Sequence, residues 1–576
     1  MSARHLSPAE WRARFGPRAG DRIRLGDTDL WIRVEHDLQA RGDEPIWGYA
    51  KNLRLRMTQE AHSGPSELDA VVVGPVIVDP LLGVLKADIG IKDGRIVGVG
   101  RAGNPGSSEG IDLPIGPHTA PIAGYGLIAT PGGVDSHVHT ISPELIPAAL
   151  SGGMTTLISA GFDEPPAAME RTLRGLEAYP VNVGLQANAR SMADADLDAL
   201  LEAGALGFKI HEDYGAYPEL IDHTLGYADA HDVSVSLHTD GLHESAELED
   251  TIAAIAGRTV HAYHVEGSGG GHVPDLLGLV REPNVICSST TPTIPWGVTA
   301  GDETVAMTIL NHGASYGVAE DLALIRERLH PPTMAAEGPL HELGAIQIVN
   351  SDSQGMGRIM ESFRRTIQLA HVMKAWRSTA AGSGHPRLPD DRPVHGAGPA
   401  HATDDNERVL RYLAKVTIEP AITHGIADHV GTLSPGRLAD VVLWKPAFFG
   451  AKPEYVIKGG HPAWAPLGEG NATVERAEPT RYRAEWAGLA HAAPSVSVLF
   501  VSRAADPTRL RRRLATRRTI AAVHDLRGLT RASLARNQAT APIEISPVDG
   551  RVTLAGRPLA SEPAVELPLN RRYFLR

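Results

Sequence analysis

The central part of this chain alternates short apolar runs with helical patterns, and no other feature constrains its fold as strongly. Helical patterns occur at residues 194–203, 218–230, 245–257 and 319–329. Strand-like runs lie at residues 133–139, 155–160, 181–187, 207–211, 233–239, 259–265, 285–289 and 346–352. Eight strands that alternate with helices predict an α/β fold, a (β/α)8 barrel of the TIM-like type.

Two β-rich segments flank this central region. Residues 68–78 (LDAVVVGPVIV) are expected to form one near-continuous strand. A hairpin is predicted at 87–99, because the Asp-Gly pair at its centre suits a tight turn. A second β segment follows the barrel, at 438–444 and near 455–457. Two separated β blocks suggest one composite β domain.

The expected domain division follows from these patterns. Residues 1–130 and 425–480 would form the composite β domain, and residues 131–424 would form the barrel. Residues 481–576 would be a C-terminal α/β extension. The connection from the seventh to the eighth strand is far longer than an ordinary βα loop. We therefore expect a flap at about 305–335, since such loops are often active-site lids.

Composition excludes several classes of function. The single cysteine, Cys287, rules out an internal disulfide and a cysteine-based zinc cluster, and it is expected to be a packed core residue. A net charge of −13 argues against general nucleic-acid binding, and the basic stretch 509–518 is interpreted as a solvated helix face. No apolar run suggests a membrane span, and the first residues lack the apolar region of a signal peptide. A cytoplasmic protein is therefore expected.

Reactive side chains recur where the predicted barrel strands end. Barrel enzymes build their active sites at the C-terminal ends of the strands, so side chains at these positions converge on one rim. The rim would collect seven such residues: His137, His139, Lys209, His211, His238, His264 and Asp352.

Two of these strand ends carry pairs at positions i and i+2, which share a face of the strand. His137 and His139 could together bind one metal ion. Lys209 and His211 form the second pair, and a cationic lysine would be repelled by a metal. Either neutral Lys209 reacts with carbon dioxide to give a bridging carbamate, or the lysine reaches solvent or pairs with a neighbouring carboxylate.

Four imidazoles, one carboxylate and a carbamate suit two divalent ions such as nickel, zinc, cobalt or manganese. Two such ions roughly 3.5–4 Å apart can activate water and polarise a carbonyl group. The residues alone therefore predict hydrolysis of an amide-like bond and do not specify the substrate.

At these positions the sequence resembles the urease alpha (catalytic) subunit, a family of the metal-dependent amidohydrolases. The likeness covers nearly the whole chain and includes KADIGIKDGRIVGVGRAGNP, ATPGGVDSHVH, SDSQGMGR and PAITHGIADHVGTLSPGRLADVVLW. GFKIHEDYG and VHAYHVEGSGGGH are typical of ureases rather than of amidohydrolases in general.

The resemblance implies urea as substrate and a centre of two Ni²⁺ ions. His238 and His264 would bind one ion, and His137, His139 and Asp352 would bind the other. The carbamate of Lys209, formed from carbon dioxide, would bridge them.

Further roles follow from the same resemblance. His211 would donate a hydrogen bond to the urea carbonyl oxygen, and Gly271 would lie on the substrate side of the Gly-rich run 267–271. In the flap, His312 would protonate the leaving ammonia, while Asp213 and Arg328 would position and polarise it.

The resemblance also implies partner proteins. These are the small urease beta and gamma subunits, a trimeric assembly of such heterotrimers, and accessory proteins that deliver nickel and support carbamylation of Lys209.

The sequence departs from the family pattern at two places near the expected site. Asn311 stands where the family usually has cysteine, and the segment 161–168 after the second strand is markedly shorter. Two alternatives therefore stay open. One is a dinuclear amidohydrolase acting on a cyclic amide or urea derivative, and the other is a catalytically silent structural subunit.

Overall fold

Eight parallel strands form the centre of the structure, a computed structural model that describes residues 6–39, 59–161, 165–243, 246–386, 404–465 and 483–571. Each strand pairs with the next in chain order, which confirms the predicted barrel of the α/β class. The strands are β1 (Gly133–Val138), β2 (Met154–Ser159), β3 (Asn182–Asn188), β4 (Ala205–Ile210), β5 (Ser234–Leu237), β6 (Val260–Ala262), β7 (Val285–Thr290) and β8 (Ile348–Asn350).

Hydrogen bonds just beyond β1 and β8 join the first strand to the last. The backbone N–H of Asp352 donates to the carbonyl of His137 at 2.9 Å, and that of His139 donates to Ser353 at 2.8 Å. The backbone seam of the barrel therefore passes through residues predicted to bind metal.

Helices cover the barrel wall between the strands. Residues Asp194–Ala203 illustrate why: Leu197 and Leu201 repeat at the i, i+4 spacing and are buried, and Gly204 ends the helix with φ +113°. The helices of this region are Leu145–Ser151, Pro166–Leu176, Asp194–Ala203, Pro218–His231, Leu248–Ile255, Ala300–Asn311, Ala319–Glu327, Pro331–Glu342, Ser362–Arg377, Ala380–Ser383, Asn406–Ala414 and Ile418–Thr423.

Strands from both sides of the barrel meet in one eight-stranded sheet. Its junction is an antiparallel pair between Ile128–Pro131 and Val441–Trp444. The full order is Arg483–Ala484, His461–Ala465, Pro453–Lys458, Val441–Trp444, Ile128–Pro131, Val76–Asp79, Gly83–Lys86 and His36–Asp37. The domain boundaries drawn from the sequence stay a prediction.

A second sheet contains the predicted hairpin. Asp88–Lys92 pairs with Arg95–Gly100, and the turn residues Asp93 and Gly94 both have positive φ, as a type I′ turn requires. The sheet runs in the order Ala120–Ala123, Ala70–Val73, Asp88–Lys92 and Arg95–Gly100.

The expectation of one continuous strand over 68–78 is wrong. Ala70–Val73 and Val76–Asp79 belong to different sheets. Gly74 separates them with φ +67°, a conformation that favours glycine, and a side chain there would collide with the ring of Tyr125. Pro75 follows and provides no N–H for a ladder.

The C-terminal segment adds to the barrel wall. Val498–Val501 pairs in parallel with β3 and with Thr519–Ala522. Arg518, interpreted from sequence as part of a solvated face, is instead 1% exposed and donates to backbone carbonyls such as that of Tyr179. The helix before it, Pro507–Leu514, keeps most of its arginines exposed.

The remaining strands are short. They are the pairs Arg22–Arg24 with Trp31–Arg33 and Ala102–Gly103 with Leu113–Pro114, and the three-stranded sheet of Ile543–Ile545, Val552–Leu554 and Arg557–Pro558. A helix of residues Pro8–Phe15 precedes them. No helix of the described ranges is long and apolar enough to cross a bilayer.

Two histidines are buried against the lower half of the barrel. His424 Nε2 lies 3.2 Å from His261 Nδ1, and His424 Nδ1 lies 3.3 Å from the hydroxyl of Ser234 at the start of β5. Burial lowers the pKa of His424 to about 3. The folded chain therefore keeps this imidazole neutral where the unfolded chain, with a pKa of about 6.5, takes up a proton.

We expect His424 to make the fold sensitive to acid between about pH 6.5 and pH 3, with stability falling as the pH falls. His424→Gln removes this proton uptake by the unfolded state. The loss of unfolding free energy between pH 7 and pH 5 should then shrink by about 2 kcal/mol. Guanidinium unfolding of both proteins at pH 7 and pH 5 measures this difference. The same pH dependence in the variant and the unmodified chain would contradict the role of His424 in acid sensitivity.

Candidate metal centre

A cavity of about 650 Å³ opens at the C-terminal ends of the barrel strands. Most of the predicted site residues line it, namely His137, His139, His211, Asp213, His238, His264, His312 and Asp352. Three others are not among its lining residues, and these are Lys209, Gly271 and Arg328. Six of the seven residues that the strand-end rule selected therefore lie around one space.

The first ligand cluster consists of His137, His139 and Asp352. Asp352 Oδ1 lies 3.3 Å from His137 Nε2 and 3.1 Å from His139 Nε2. One potential ligand atom from each residue falls within 4.8 Å of the others. The i, i+2 spacing aims both imidazoles to the same side, and the seam between β1 and β8 brings the carboxylate to them.

The second cluster consists of His238 and His264, which follow β5 and β6. Their rings are perpendicular, with centroids 4.5 Å apart, and the His264 ring is 5.7 Å from that of His137. His238 Nε2 lies 3.1 Å from Glu212 Oε1 but forms no hydrogen bond within the described residues. The two clusters thus face each other across the cavity floor.

Two of these residues have a strained backbone. His264 has φ +33° and Asp352 has φ +54°, values that non-glycine residues rarely adopt. Such strain is common at functional sites, where the surrounding structure holds a side chain in a required direction.

Lys209 lies under the two clusters and is 1% exposed, so it does not reach solvent. Its Nζ makes no hydrogen bond in the described structure, so it does not pair with a carboxylate through one. Burial lowers the pKa of Lys209 well below its ordinary value, more than the attraction of Asp352 raises it. Burial therefore favours the neutral amine, the form that reacts with carbon dioxide.

Burial also favours the neutral form of the imidazoles. Burial is the largest cause that lowers the pKa of each of His137, His211, His238 and His264 well below the usual value. A neutral imidazole keeps a lone pair that a divalent ion can accept.

The unsatisfied polar atoms test whether these residues fit a metal centre. Within the described ranges, buried atoms without a hydrogen bond include Lys209 Nζ, His137 Nδ1, His264 Nδ1 and Asp352 Oδ1. Buried polar atoms normally have partners, and their concentration in one place needs an explanation. Two divalent ions and a carbamate would provide partners of the right type, so the residues fit the group.

His211 stands at the cavity edge in a defined tautomer. The backbone N–H of Asp213 donates to His211 Nδ1 at 3.1 Å, so Nδ1 accepts and the proton of the neutral ring is on Nε2. The Asp213 carboxylate lies 3.5 Å from the same Nδ1. Nε2 of His211 is therefore a hydrogen-bond donor.

The segment predicted to be a flap contains two helices with a small core of their own. Val305, Ile309 and Ile325, from Ala300–Asn311 and Ala319–Glu327, make up this separate cluster. His312 follows the first helix and donates from Nδ1 to the carbonyl of Thr308 at 3.0 Å, which leaves Nε2 for the cavity.

Arg328 and Gly271 contact the site from behind the cavity wall. Arg328 donates to Glu212 Oε1, whose second carboxylate oxygen accepts from the N–H of Gly241. Gly271, with φ +90°, packs on Thr239. The roles of Arg328 with the flap histidine and of Gly271 with substrate stay predictions.

Asn188, Gly269 and Tyr263 are among the residues at the site that were not singled out from the sequence. Asn188 ends β3 and lines the cavity, so the strand-end rule applied to the third strand would have found it. Gly269 also lines the cavity, and Tyr263 is buried beneath the ligands. No sequence signal distinguishes Tyr263 from an ordinary aromatic core residue.

We expect Gly269→Ala to displace His264. A Cβ at residue 269 would lie 2.6 Å from three atoms of the His264 ring, closer than real Cβ contacts. The variant should bind about one metal ion per chain and lose roughly tenfold to a hundredfold in metal affinity, as orientation changes of ligands do. Metal analysis by mass spectrometry measures this.

Gly175→Ala is the matched control for this prediction. A Cβ at Gly175 meets no atom within 4 Å, and the residue lies in the outer helix Pro166–Leu176. Equal metal content in the two variants would show that His264 does not depend on the space at Gly269.

Known proteins resemble the chain along nearly its whole length. Residues 4–122 match the model of the urease alpha-subunit N-terminal domain, and residues 128–461 match the amidohydrolase family. Urease subunit alpha 1 of Streptomyces avermitilis is 43% identical over 99% of this chain and 100% of its own length. Urease subunit alpha of Laribacter hongkongensis is 41% identical over 99% of each chain.

A solved D-hydantoinase structure is more distant, with 17% identity and a TM-score of 0.46 over 69% of this chain and 95% of its own. The two family models and the full-length relatives carry the assignment, and by them the chain belongs to the urease alpha-subunit family of amidohydrolases.

Proposed function

We propose that this chain hydrolyses urea to ammonia and carbamate, with two Ni²⁺ ions bridged by a carbamate on Lys209. His238 and His264 would hold one ion, and His137, His139 and Asp352 would hold the other. Membership of the family implies a dinuclear metal centre and a hydrolase of amide C–N bonds. The choice of nickel, the carbamate and the role of each residue are the proposal.

One observation carries this proposal. A buried lysine without a hydrogen bond, whose pKa is lowered by burial, lies beneath imidazoles and a carboxylate that also have buried atoms without a hydrogen bond. An unmodified lysine buried beneath these residues would lower the stability of the fold, because burying an amine without a hydrogen-bond partner is unfavourable. Conversion to a carbamate supplies two anionic oxygens, which explains why a lysine stands at this position.

When bound, the two ions would supply Lewis acidity that lowers the pKa of water and polarises the urea carbonyl. His211 would orient urea, because its Nε2–H can donate to the carbonyl oxygen. His312 would act as the general acid. With Nδ1–H held by the Thr308 carbonyl, the doubly protonated ring would carry its other proton on Nε2 and would donate that proton to the departing nitrogen, returning to the neutral form.

The flap would bring His312 over the substrate. The His312 side chain stays exposed at the cavity mouth, and the separate core of the flap lets its two helices move as one unit. A lid of this kind excludes water and completes the arrangement of catalytic groups.

Urea and other urease subunits are the partners that family membership implies. We propose further that these are the beta and gamma subunits in a trimeric assembly of heterotrimers. Accessory proteins would deliver nickel and support carbamylation, and the complex would be cytoplasmic.

The proposal is tested by ammonia release from urea. The chain is produced together with its small subunits and nickel accessory proteins in nickel medium, and metal per chain is measured on the same sample. Release with close to two nickel ions per chain supports the proposal. Two bound metals without release would contradict it, and hydrolysis of hydantoin or N-methylurea would then identify a different amidohydrolase. Absence of both metal and release would indicate a silent structural subunit.

A further inference from the structure

Tyr263 lies directly beneath the proposed metal centre and contacts two of its members. The Nζ of Lys209 is 3.5 Å from the centroid of the Tyr263 ring. The same ring stacks on the imidazole of His137, with centroids 3.8 Å apart and planes at 16°. The Tyr263 ring thus contacts both the proposed bridging lysine and a proposed ligand of one ion.

The ring is fixed from below by hydrogen bonds to its hydroxyl. Tyr263 donates to the carbonyl of Ser136 at 2.7 Å, in the strand that carries His137. Gln186 donates to the Tyr263 hydroxyl at 2.8 Å and to the carbonyl of Ser159 at 2.6 Å. Tyr263 is 1% exposed, so no solvent competes for these bonds.

This arrangement restricts where a carbamate on Lys209 can lie. A carbamate nitrogen keeps one N–H, and its carboxylate carries the negative charge. The face of an aromatic ring is negative, so it attracts an N–H and repels a carboxylate. Because the Tyr263 ring lies on one side of Nζ, the carbamate N–H is expected to point at the ring. The carboxylate then points away from the ring, towards the proposed metal ligands.

We propose that Tyr263 is a positioning residue for the carbamate on Lys209, holding the N–H against its ring face so that both carboxylate oxygens face the metal ligands. This inference rests on the carbamate of the proposed function. Formation of the group is balanced: the neutral amine attacks carbon dioxide, a C–N bond forms, and one amine proton leaves to water in the cavity. Tyr263 takes no part in that exchange.

The test compares carbamate formation in the full chain and its variants. Purified metal-free protein is incubated with zinc and carbon-13 bicarbonate, since zinc is diamagnetic and belongs to the same class of borderline ions. The carbamate carbon resonance and the intact mass report occupancy, and bound zinc is counted separately. None of these readouts depends on turnover.

Tyr263→Leu should raise the bicarbonate concentration for half occupancy about fivefold, because a contact of an N–H with a ring face is lost. Tyr263→Phe keeps the face and should restore occupancy close to that of the unmodified chain. If the leucine variant does not fold, Tyr263→Met fills the same space with a flexible chain and replaces it in the test.

Tyr227 provides a matched control. Its ring stacks on His231 with centroids 3.9 Å apart and planes at 15°, on the helix Pro218–His231 outside the barrel. Tyr227→Leu therefore removes a Tyr–His stack of nearly the same geometry and should leave carbamate occupancy unchanged.

The possible results distinguish the role of Tyr263 from the formation of the carbamate itself. Wild-type occupancy in Tyr263→Leu overturns the role of Tyr263 and leaves the carbamate intact. Equal losses in Tyr263→Phe and Tyr263→Leu also overturn it, since the ring face would then be irrelevant. Absence of a carbamate in the unmodified chain, even with zinc and excess bicarbonate, would refute the proposed chemistry of Lys209 itself.

Discussion

Lys209→Met is expected to abolish the dinuclear centre while leaving the barrel folded. Methionine matches lysine in length and volume, but it has no nitrogen that can react with carbon dioxide. Without a bridge we expect fewer than two ions per chain. Urea hydrolysis should fall on the order of 10³-fold or more, because Lewis acidity is worth several kcal/mol. Metal analysis and ammonia release on the same preparation measure both effects.

Metal-free Lys209→Met should be more stable than the metal-free unmodified chain, although its activity is lower. Lys209 buries an amine without a hydrogen bond, and removing such a group relieves a desolvation penalty. We expect the unfolding free energy of metal-free Lys209→Met to rise by about 1 kcal/mol. A large loss of stability would instead mean that the lysine is structural.

Lys415 offers the matched control, because it is another fully buried lysine of the barrel with a pKa lowered by burial. Its Nζ donates to the carbonyl of Ile346 at 2.5 Å, so it has a partner that Lys209 lacks. Lys415→Met should keep both metal ions and lose stability. Parallel behaviour of the two variants would contradict a special role for Lys209.

His312→Ala is expected to lower kcat for urea by about 10² to 10⁴-fold, the usual contribution of a general acid. The metal ligands lie on other elements, so metal content should stay at two ions per chain. KM should change much less than kcat, because His312 would act mainly in the transition state. Steady-state kinetics with metal analysis separates these quantities.

His330→Ala is the companion variant for this measurement. His330 precedes the helix Pro331–Glu342, within the predicted flap segment, and it does not line the cavity. We expect its kcat to stay within about twofold of the unmodified chain, as for a surface substitution away from the site. A decrease in kcat of the same size in both variants would indicate a general effect on the flap rather than proton transfer.

The barrel was predictable because its signals are local and repeated. Five of the eight strands end in residues whose chemistry is unusual for a core. The rule that such ends converge places His137 and Asp352 together although they are far apart in the sequence. The hairpin at Asp93 and Gly94 was predictable for the same reason, since the turn residues fix its geometry.

What could not be predicted depends on contacts across the fold. The Gly74-Pro75 pair is a local signal for the break in the apolar run. The Tyr125 ring that fills the space beside Gly74 is a contact that the segment itself does not reveal. Arg518 is buried because carbonyls near Tyr179 surround its guanidinium. From the sequence, a Lys209 that reacts with carbon dioxide was only one alternative beside a lysine that reaches solvent or pairs with a carboxylate. The burial that lowers its pKa is produced by the folded barrel as a whole.

The seam between β1 and β8 has a consequence for the order of biosynthesis. Because the backbone bonds of this seam bring Asp352 beside His137 and His139, that three-residue cluster is complete only after the last strand has been synthesised. An ion that needs all three ligands therefore binds only chains whose barrel has closed. Metal that binds the closed form alone would then hold the first and last strands together, so that loading makes closure harder to reverse.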